Sequence, residues 1–168
     1  TKGMKAEIRC VEKNAFRTVV EICHEMMIPS GMGEELQRQR EMCIDPYTRV
    51  ANRSKELVPM EVKTVLTLEK SGKGLHVATT ICNQAEDHRV RVVMPTGLNT
   101  STHLADSAFE VVKRNNRHND TWTNPCGCER QQCFAAMEDE TNGILVANRG
   151  LYEYEVLADE ENAIAVTL

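Results

Sequence analysis

The cysteines in the last third of the sequence have the residue types that could hold a metal ion. Cys126, Cys128 and Cys133 follow His118, and thiolate and imidazole groups are the usual ligands of zinc. Structural zinc sites mostly use Cys-x-x-Cys pairs, whereas this loop has a Cys-x-Cys pair and would have to recruit its fourth ligand from a distance. The spacing therefore favours free loop thiols, and we predict no metal site in this chain.

Two carboxylates near the end of the sequence could take part in acid–base chemistry. Glu153 and Glu155 lie two positions apart in a strand-like run, which places them on one face about 7 Å apart, with Tyr152 and Tyr154 on the opposite face. Carboxylate pairs near this separation catalyse glycoside hydrolysis. Neighbouring acidic positions are also common on the solvated face of a sheet, and this is the interpretation we favour.

The motifs of other catalytic classes are absent from the sequence. It has no Gly-x-Ser-x-Gly, no glycine-rich phosphate loop and no His-Glu-x-x-His. His88, His103 and His118 are scattered in or near predicted turns, where we interpret them as surface or structural residues. Motifs alone do not indicate an enzyme.

The composition is that of an ordinary folded protein. The 168 residues are 41% hydrophobic and 27% charged, with a formal net charge of −5. The basic residues form no stripe, so we expect no nucleic-acid binding, and no apolar run approaches the roughly 20 residues of a membrane helix. Aromatic residues make up only 4%, which is low for a stand-alone sugar-binding module.

The cysteine count bears on the cellular compartment, and the first residues bear on whether the chain is a fragment. Seven cysteines are an odd number and favour a reducing, cytoplasmic location over a disulfide framework. The sequence begins Thr-Lys-Gly without an initiating Met, so we expect an excised fragment.

Alternation of apolar and polar residues dominates the sequence and predicts β-strands. Apolar residues recur at every second position over 58–69 and again over 75–81, on either side of a Gly-bearing turn, which predicts a β-hairpin. Further strands are predicted over 6–11, 17–28, 88–94, 109–113, 132–137, 144–148, 152–157 and 163–168, with a turn over 158–162 between the last two. Short strands at regular spacing predict an all-β, antiparallel β-sandwich.

Two segments depart from this alternation. Residues 30–44 predict one short helical excursion, with Ser30 as a possible cap and Glu34 spaced to pair with Arg38. Residues 115–131, rich in Asn, Pro and Gly, predict a long irregular loop of the kind that often contacts a partner.

Several strings of the sequence are similar to a known family. They are RSKELVPMEVKTVLTLEKSGKGLHVATTICNQAEDHRVRVVMPTGL (53–98), ADSAFEVVKR (105–114) and GILVANRGLYEYEVL (143–157). On these strings the chain resembles the C-terminal β-sandwich region of glycoside hydrolase family 38, the retaining α-mannosidases, and most of all the bacterial branch that includes mannosylglycerate hydrolase. The similarity runs from about residue 4 to residue 168, and the Cys-Gly-Cys loop departs from it.

The resemblance implies a part of an enzyme. Members of this family hold a divalent metal, usually zinc, and an Asp nucleophile in an N-terminal α/β domain, whose metal motif is missing from this sequence. In the family reaction the carboxylate attacks the anomeric carbon, and water hydrolyses the resulting glycosyl-enzyme. We therefore expect one noncatalytic β-sandwich domain over 1–168, part of a galactose-mutarotase-like supersandwich, that braces or completes the active site of its parent.

The partners implied by the resemblance are the catalytic domain of the same polypeptide and an α-mannoside-type carbohydrate. Homo-oligomerisation of the parent is left open. No membrane partner is expected.

The resemblance also singles out candidate site residues. Asp106 and Arg114 occupy the acidic-strand and basic-end positions of the matching block and, with Glu153 and Tyr154, are predicted to face the substrate or another domain. An internal ion pair or an interdomain salt bridge is the alternative for the first two. Structural roles are predicted for Asp87, Arg91, Pro95 and Gly97, the first two pinning the sandwich and the last two forming a turn.

Two other functions stay open. A stand-alone carbohydrate-binding module would fit the sandwich pattern and the Tyr-bearing strand near the loop of Trp122. An assembly domain is the third hypothesis, with residues 30–44 packing on a neighbouring subunit.

Overall fold

The computed structural model describes residues 5–50, 52–119, 121–123, 126–158 and 162–168, which are mostly β-structure. The chain divides into two compact units, residues 1–88 and 89–168, and one domain over 1–168 stays a prediction. The strands are β1 (Glu7–Lys13), β2 (Arg17–Pro29), β3 (Leu57–Glu69), β4 (Leu75–Cys82), β5 (Arg91–Pro95), β6 (Thr102–Asp106), β7 (Val111–Asn115), β8 (Cys128–Arg130), β9 (Phe134–Glu138), β10 (Gly143–Ala147), β11 (Glu153–Leu157) and β12 (Ala163–Thr167).

Helical structure is limited to two short segments within the described ranges. They are the helix α1 (Glu34–Glu41) and one 3-10 turn (Pro46–Thr48). Neither is long and apolar enough to span a membrane.

The first unit is built on one antiparallel sheet in the order β1-β2-β3-β4. Its longest pairing joins β2 to β3, from Arg17 opposite Glu69 to Pro29 opposite Leu57. The next pairing joins β3 to β4 as the predicted hairpin, which is confirmed. Because register partners share a face, the apolar positions of these strands line up on one side of the sheet.

The helical excursion is confirmed, but its start differs from the prediction. The helix begins at Glu34, with Gly33 as its N-cap. Ser30 is therefore not the cap. Its backbone N–H donates to the Glu56 carbonyl at 2.9 Å, and its hydroxyl lies 3.1 Å from that of Ser54. This extended pairing continues beyond Ser30, so the chain cannot turn into a helix there.

The predicted pairing of Glu34 with Arg38 is also wrong. Arg38 lies instead 3.0 Å from Glu35, one position nearer along the helix. Acidic residues in the first turn and basic residues in the last turn suit the helix dipole, so the short helix is stabilised at both ends.

The second unit is a sandwich of two four-stranded antiparallel sheets. One sheet has the order β10-β9-β6-β7 and the other has the order β5-β12-β11-β8. Side chains from both sheets, with Leu98 from the segment between β5 and β6, form one buried cluster. Its other members are Ala105, Ala135, Met137, Val146, Tyr154, Ile164 and Val166. The all-β, antiparallel architecture predicted from the alternation is confirmed.

Two strands of this unit were not predicted. β6 reads Thr-His-Leu-Ala-Asp, and its buried inward residue His103 is polar, so the alternation is hidden. β8 has only three residues and interrupts the predicted loop over 115–131. Residues 120, 124 and 125 of that loop, and residues 159–161 of the final predicted turn, lie outside the described residues.

The segment after β5 contains a glycine with a left-handed backbone. Pro95 is the last residue of the strand, and Gly97 has φ of +64°, in the left-handed region that side chains with a Cβ rarely adopt. Nothing lies within 4 Å of the position that a Cβ would take there. Any penalty for a substitution would therefore come from backbone strain and not from a clash.

We expect Gly97→Ala to destabilise the protein by about 1 kcal/mol, the cost of a left-handed conformation for an L-residue. Gly143→Ala in the same unit is the matched control, because Gly143 has no positive φ and its added Cβ would meet only ordinary contacts at 3.6 Å or more. Urea unfolding of both variants measures the difference. Equal midpoints would contradict the strain argument.

Candidate functional site

Three polar side chains converge inside the second unit on the hydroxyl of a fourth, Tyr154. The Arg114 guanidinium donates to this hydroxyl at 2.8 Å, and His103 Nε2 lies 2.8 Å from it. Glu129 Oε2 is 3.2 Å from the same hydroxyl and forms an ion pair with Arg114, 2.9 Å from its Nε. Tyr154 is fully buried and His103 is nearly so, so water does not reach the centre of this network.

The strand register explains how these four residues meet. His103 on β6 is the register partner of Arg114 on β7, and Tyr154 on β11 is the register partner of Glu129 on β8. Partners in an antiparallel pair point to the same face. One pair belongs to each sheet, so the network connects the two layers of the sandwich across its interior.

The hydrogen-bond pattern assigns the histidine tautomer. Asn116 uses its amide NH₂ to donate to the Thr100 carbonyl, so its Oδ1 accepts from His103 Nδ1–H at 3.0 Å. Nε2 then carries the lone pair and accepts from the Tyr154 hydroxyl. Burial lowers the pKa of His103 and raises the pKa of Tyr154 to about 12, so both groups stay neutral near pH 7.

The opposite face of β11 carries a row of ion pairs. Glu153 accepts from the Thr167 hydroxyl at 2.7 Å and from Arg89 at 3.1 Å, while Glu155 pairs with both Arg89 and Arg91. The bond from Thr167, and then the charge of Arg89, hold the pKa of Glu153 below its usual value. A general acid needs the opposite shift. This arrangement supports a structural role for the pair.

A cavity of about 770 Å³ beside β8 brings together three of the four predicted substrate-facing residues. Asp106, Arg114 and Glu153 line it, and we call it the β8 cavity; its other lining residues are Ser107, Ala108, Cys126, Cys128, Glu129, Arg130, Gln131, Gln132 and Tyr152. Tyr154, the fourth candidate, does not line the cavity, because it is buried in the network behind Arg114 and Glu129.

A second cavity of about 550 Å³ contains the Trp122 loop. The rings of His118 and Trp122 stack with centroids 5.4 Å apart, and Trp122 is 59% exposed. We call this cavity the aromatic groove; its other lining residues are His103, Asn116, Arg117, Asn119, Gly127, Glu129, Glu155 and Val156. A flat exposed ring beside amide and carboxylate groups can bind a ligand with one apolar face and several hydroxyls.

The residues predicted to be structural lie at strand ends and in charge pairs. Asp87 in the first unit has φ of +55° and lies 3.7 Å from Arg40. Arg91, on β5, forms the ion pair with Glu155 described above. Pro95 is the last residue of β5, and Gly97 lies two positions beyond it with φ of +64°. The roles of these four residues stay predictions.

Sequence reasoning missed His103 and Glu129 as partners of the predicted residues. His103 had been interpreted as a scattered surface or structural residue, and Glu129 lay within the supposed irregular loop. The sequence carried no local signal for these two residues, because their contacts follow from the register of β6 and β8 with their partner strands.

In the part of the chain that the structure describes, no group of three His, Cys, Asp or Glu side chains is placed to hold a metal ion.

Residues 5–168 match the model of the glycosyl hydrolases family 38 C-terminal domain, and the chain belongs to this family. It is 37% identical over 168 residues to a protein of Halalkalibacterium halodurans whose name proposes a mannosylglycerate hydrolase. It is also similar to the crystal structure of an α-mannosidase from Enterococcus faecalis V583, with a TM-score of 0.93 and 41% identity over 99% of this chain.

A second solved structure, a glycosyl hydrolase family 38 protein from Enterococcus faecalis, gives a TM-score of 0.89 and 39% identity over 99% of the chain. The chain spans only 18% of the Halalkalibacterium protein and 19% of each of the two solved chains. The resemblance stated from the sequence is confirmed, and the matched region is a small part of much longer polypeptides.

We expect Tyr154→Phe to destabilise the second unit, because it removes the hydroxyl and leaves His103 Nε2 buried without its donor. Loss of one partner from a buried hydrogen bond costs roughly 1–3 kcal/mol. Tyr152→Phe, at a 62% exposed neighbour, is the control and should change stability by less than about 0.5 kcal/mol. Thermal unfolding measures both variants, and a Tyr154→Phe midpoint equal to that of the control would contradict the role assigned to the network.

Proposed function

We propose that this chain is the noncatalytic C-terminal β domain of a retaining α-mannosidase-type glycoside hydrolase, and that it braces or completes the active site of its parent. The observation that carries the proposal is that the family model matches the whole described chain, while the chain spans under a fifth of its relatives. A domain of this size leaves most of the polypeptide free to supply the nucleophile and the metal.

The β8 cavity is the surface that we propose faces the rest of the enzyme or its substrate. Arg114 is fixed by Tyr154, Glu129 and the Arg130 carbonyl, and Glu153 is fixed by Thr167 and Arg89. Side chains that are held by such bonds bind a polar partner without losing further rotamer freedom. Asp106, half-buried at the end of β6, adds a carboxylate to the same cavity.

The remaining parts of the proposal concern the parent protein. A divalent metal, which we expect to be zinc, would be held by its catalytic domain, and α-mannosides would be its substrates. A cytoplasmic location is supported by the cysteines, all seven of which are free. An oligomeric parent is compatible with this proposal.

The proposal predicts that the purified chain folds but does not hydrolyse a chromogenic α-mannoside, with or without added zinc. In the full-length parent, Asp106→Asn should lower kcat/KM by about tenfold, which corresponds to about 1.4 kcal/mol of lost transition-state stabilisation. Glu110→Gln, which removes an exposed carboxylate from the same unit, is the control and is not expected to change kcat/KM.

The unfolding midpoint of the parent separates the two possible roles of Asp106. Lower activity at an unchanged midpoint indicates contact with the substrate, whereas a lower midpoint with unchanged KM indicates a bracing contact between domains. Turnover by the isolated chain that disappears in Asp106→Asn would overturn the proposal.

Carbohydrate binding by the chain itself is the second candidate function, and the aromatic groove favours it. The exposed ring of Trp122 could stack on the apolar face of a pyranose, with Asn119 and Arg117 beside it to contact hydroxyls. Glu129 and Glu155 in the same groove disfavour an anionic ligand. A neutral sugar fits these groups best.

The groove can be tested directly because Trp122 is the single tryptophan of the chain. If a sugar binds there, titration with methyl α-mannoside should change the intrinsic fluorescence in a saturable manner at millimolar concentrations. Phe109→Ala, at a fully exposed aromatic residue of the same unit, should leave the titration unchanged. A flat fluorescence signal, together with no heat of binding in calorimetry, would count against this second function.

A further inference from the structure

The loop thiols that the sequence singled out are not used by the proposed function. Cys126 and Cys128 both line the β8 cavity. Cys126 is exposed and Cys128 is half-buried at the start of β8. The inference that follows from these thiols is independent of whether the parent hydrolyses α-mannosides.

Cys128 has a guanidinium in direct contact with its sulfur. Arg89 Nη1 donates to Cys128 Sγ at 2.8 Å, and this contact is the main reason that the pKa of Arg89 is raised. The thiolate is the reactive form of cysteine, and a guanidinium in contact with the sulfur stabilises the negative charge that the sulfur carries when it attacks. Glu153 shares the same Arg89 nitrogen at the longer distance of 3.1 Å.

Three cysteines of the first unit have oxygen atoms as the nearest partners of their sulfurs. The sulfurs of Cys10 and Cys43 lie against backbone carbonyl oxygens, and that of Cys23 lies 3.8 Å from the Glu21 carboxylate. Exposure alone would rank Cys10 and Cys43 above Cys128 in reactivity, whereas direct contact with a guanidinium ranks Cys128 first.

The second thiol lies two positions before Cys128. A Cβ on Gly127, the residue between them, would approach Glu155 Oε1 to 2.6 Å, so Gly127 lies close against the end of that side chain. Cys126 Sγ lies 4.0 Å from the backbone oxygen of Cys128. Cys126 is the cysteine nearest to Cys128 in the sequence and is therefore the first candidate to react with a group attached to the Cys128 sulfur.

We propose that Cys128 is a thiol-modification site that reacts with low-molecular-weight disulfides, with glutathione disulfide as the probe, and that Cys126 is its resolving thiol. The Cys128 thiolate attacks one sulfur of glutathione disulfide, the S–S bond breaks, and one glutathione leaves as a thiolate that takes up a proton from solvent. Cys126 then loses its proton to solvent and attacks the Cys128 sulfur, which releases the second glutathione. Two protein thiols are oxidised to one disulfide, and one glutathione disulfide is reduced.

The test is to incubate the chain with glutathione disulfide, quench at intervals with acid, and map each cysteine by mass spectrometry. We expect Cys128 to be modified several-fold faster than the more exposed Cys10, Cys43 and Cys133, which serve as internal controls. Arg89→Gln should slow Cys128 to the rate of these controls. Arg149→Gln, at an exposed arginine of the same unit, should leave the rate unchanged.

The second step has its own readout. Cys126→Ser should stop the reaction at the glutathione adduct of Cys128, whereas the original chain should proceed to a Cys126–Cys128 disulfide that has lost two hydrogens. Circular dichroism of each variant checks that the fold is retained. A Cys128 rate at or below that of the exposed controls, or one unaffected by Arg89→Gln in a folded variant, would overturn the site, and a persistent adduct in the original chain would overturn the role of Cys126.

Discussion

The buried hydroxyl of Tyr154 imposes a constraint on both sheets of the second unit. A guanidinium and a carboxylate enter the interior beside it, and such groups are tolerated only where their hydrogen bonds are satisfied. The satisfaction comes from two register pairs, one on each sheet. A slip of one residue in either pair would turn these side chains to the other face and leave the remaining polar groups buried without partners.

The same constraint determines what the outer face of β11 presents. Because successive residues of a strand point to opposite sides, an inward Tyr154 places Glu153 and Glu155 outward, where Arg89 and Arg91 neutralise them. Arg89 also contacts Cys128, and Gly127 lies against Glu155, so the Cys-Gly-Cys loop is connected to this outer row. One strand therefore links the interior network, the β8 cavity and the reactive thiol.

The sequence was informative where local alternation decides the structure. The hairpin of β3 and β4 and the all-β class follow from the apolar period and a Gly-bearing turn, and the family resemblance rests on contiguous strings. The predictions failed where residues far apart in the sequence determine the local structure. Ser30 has a typical capping side chain, yet backbone pairing to Glu56 keeps it extended. β6 was missed because His103, a polar residue, faces the interior, and its partners lie 13 and 51 residues away.

In the candidate site, the sequence identified several of the residues but not their pairings. Asp106, Arg114 and Glu153 were named from the sequence, but only the structure shows that the guanidinium and Glu153 are already paired. A carboxylate whose pKa is held low is unsuited to donating a proton, yet it is well suited to being a fixed charge. Fixed charges and dipoles stabilise a developing charge without having to reorganise as the reaction proceeds. Under the proposed function, this is how a domain without its own nucleophile could still contribute to catalysis, since it would present an oriented polar surface to an active site built by the rest of the polypeptide.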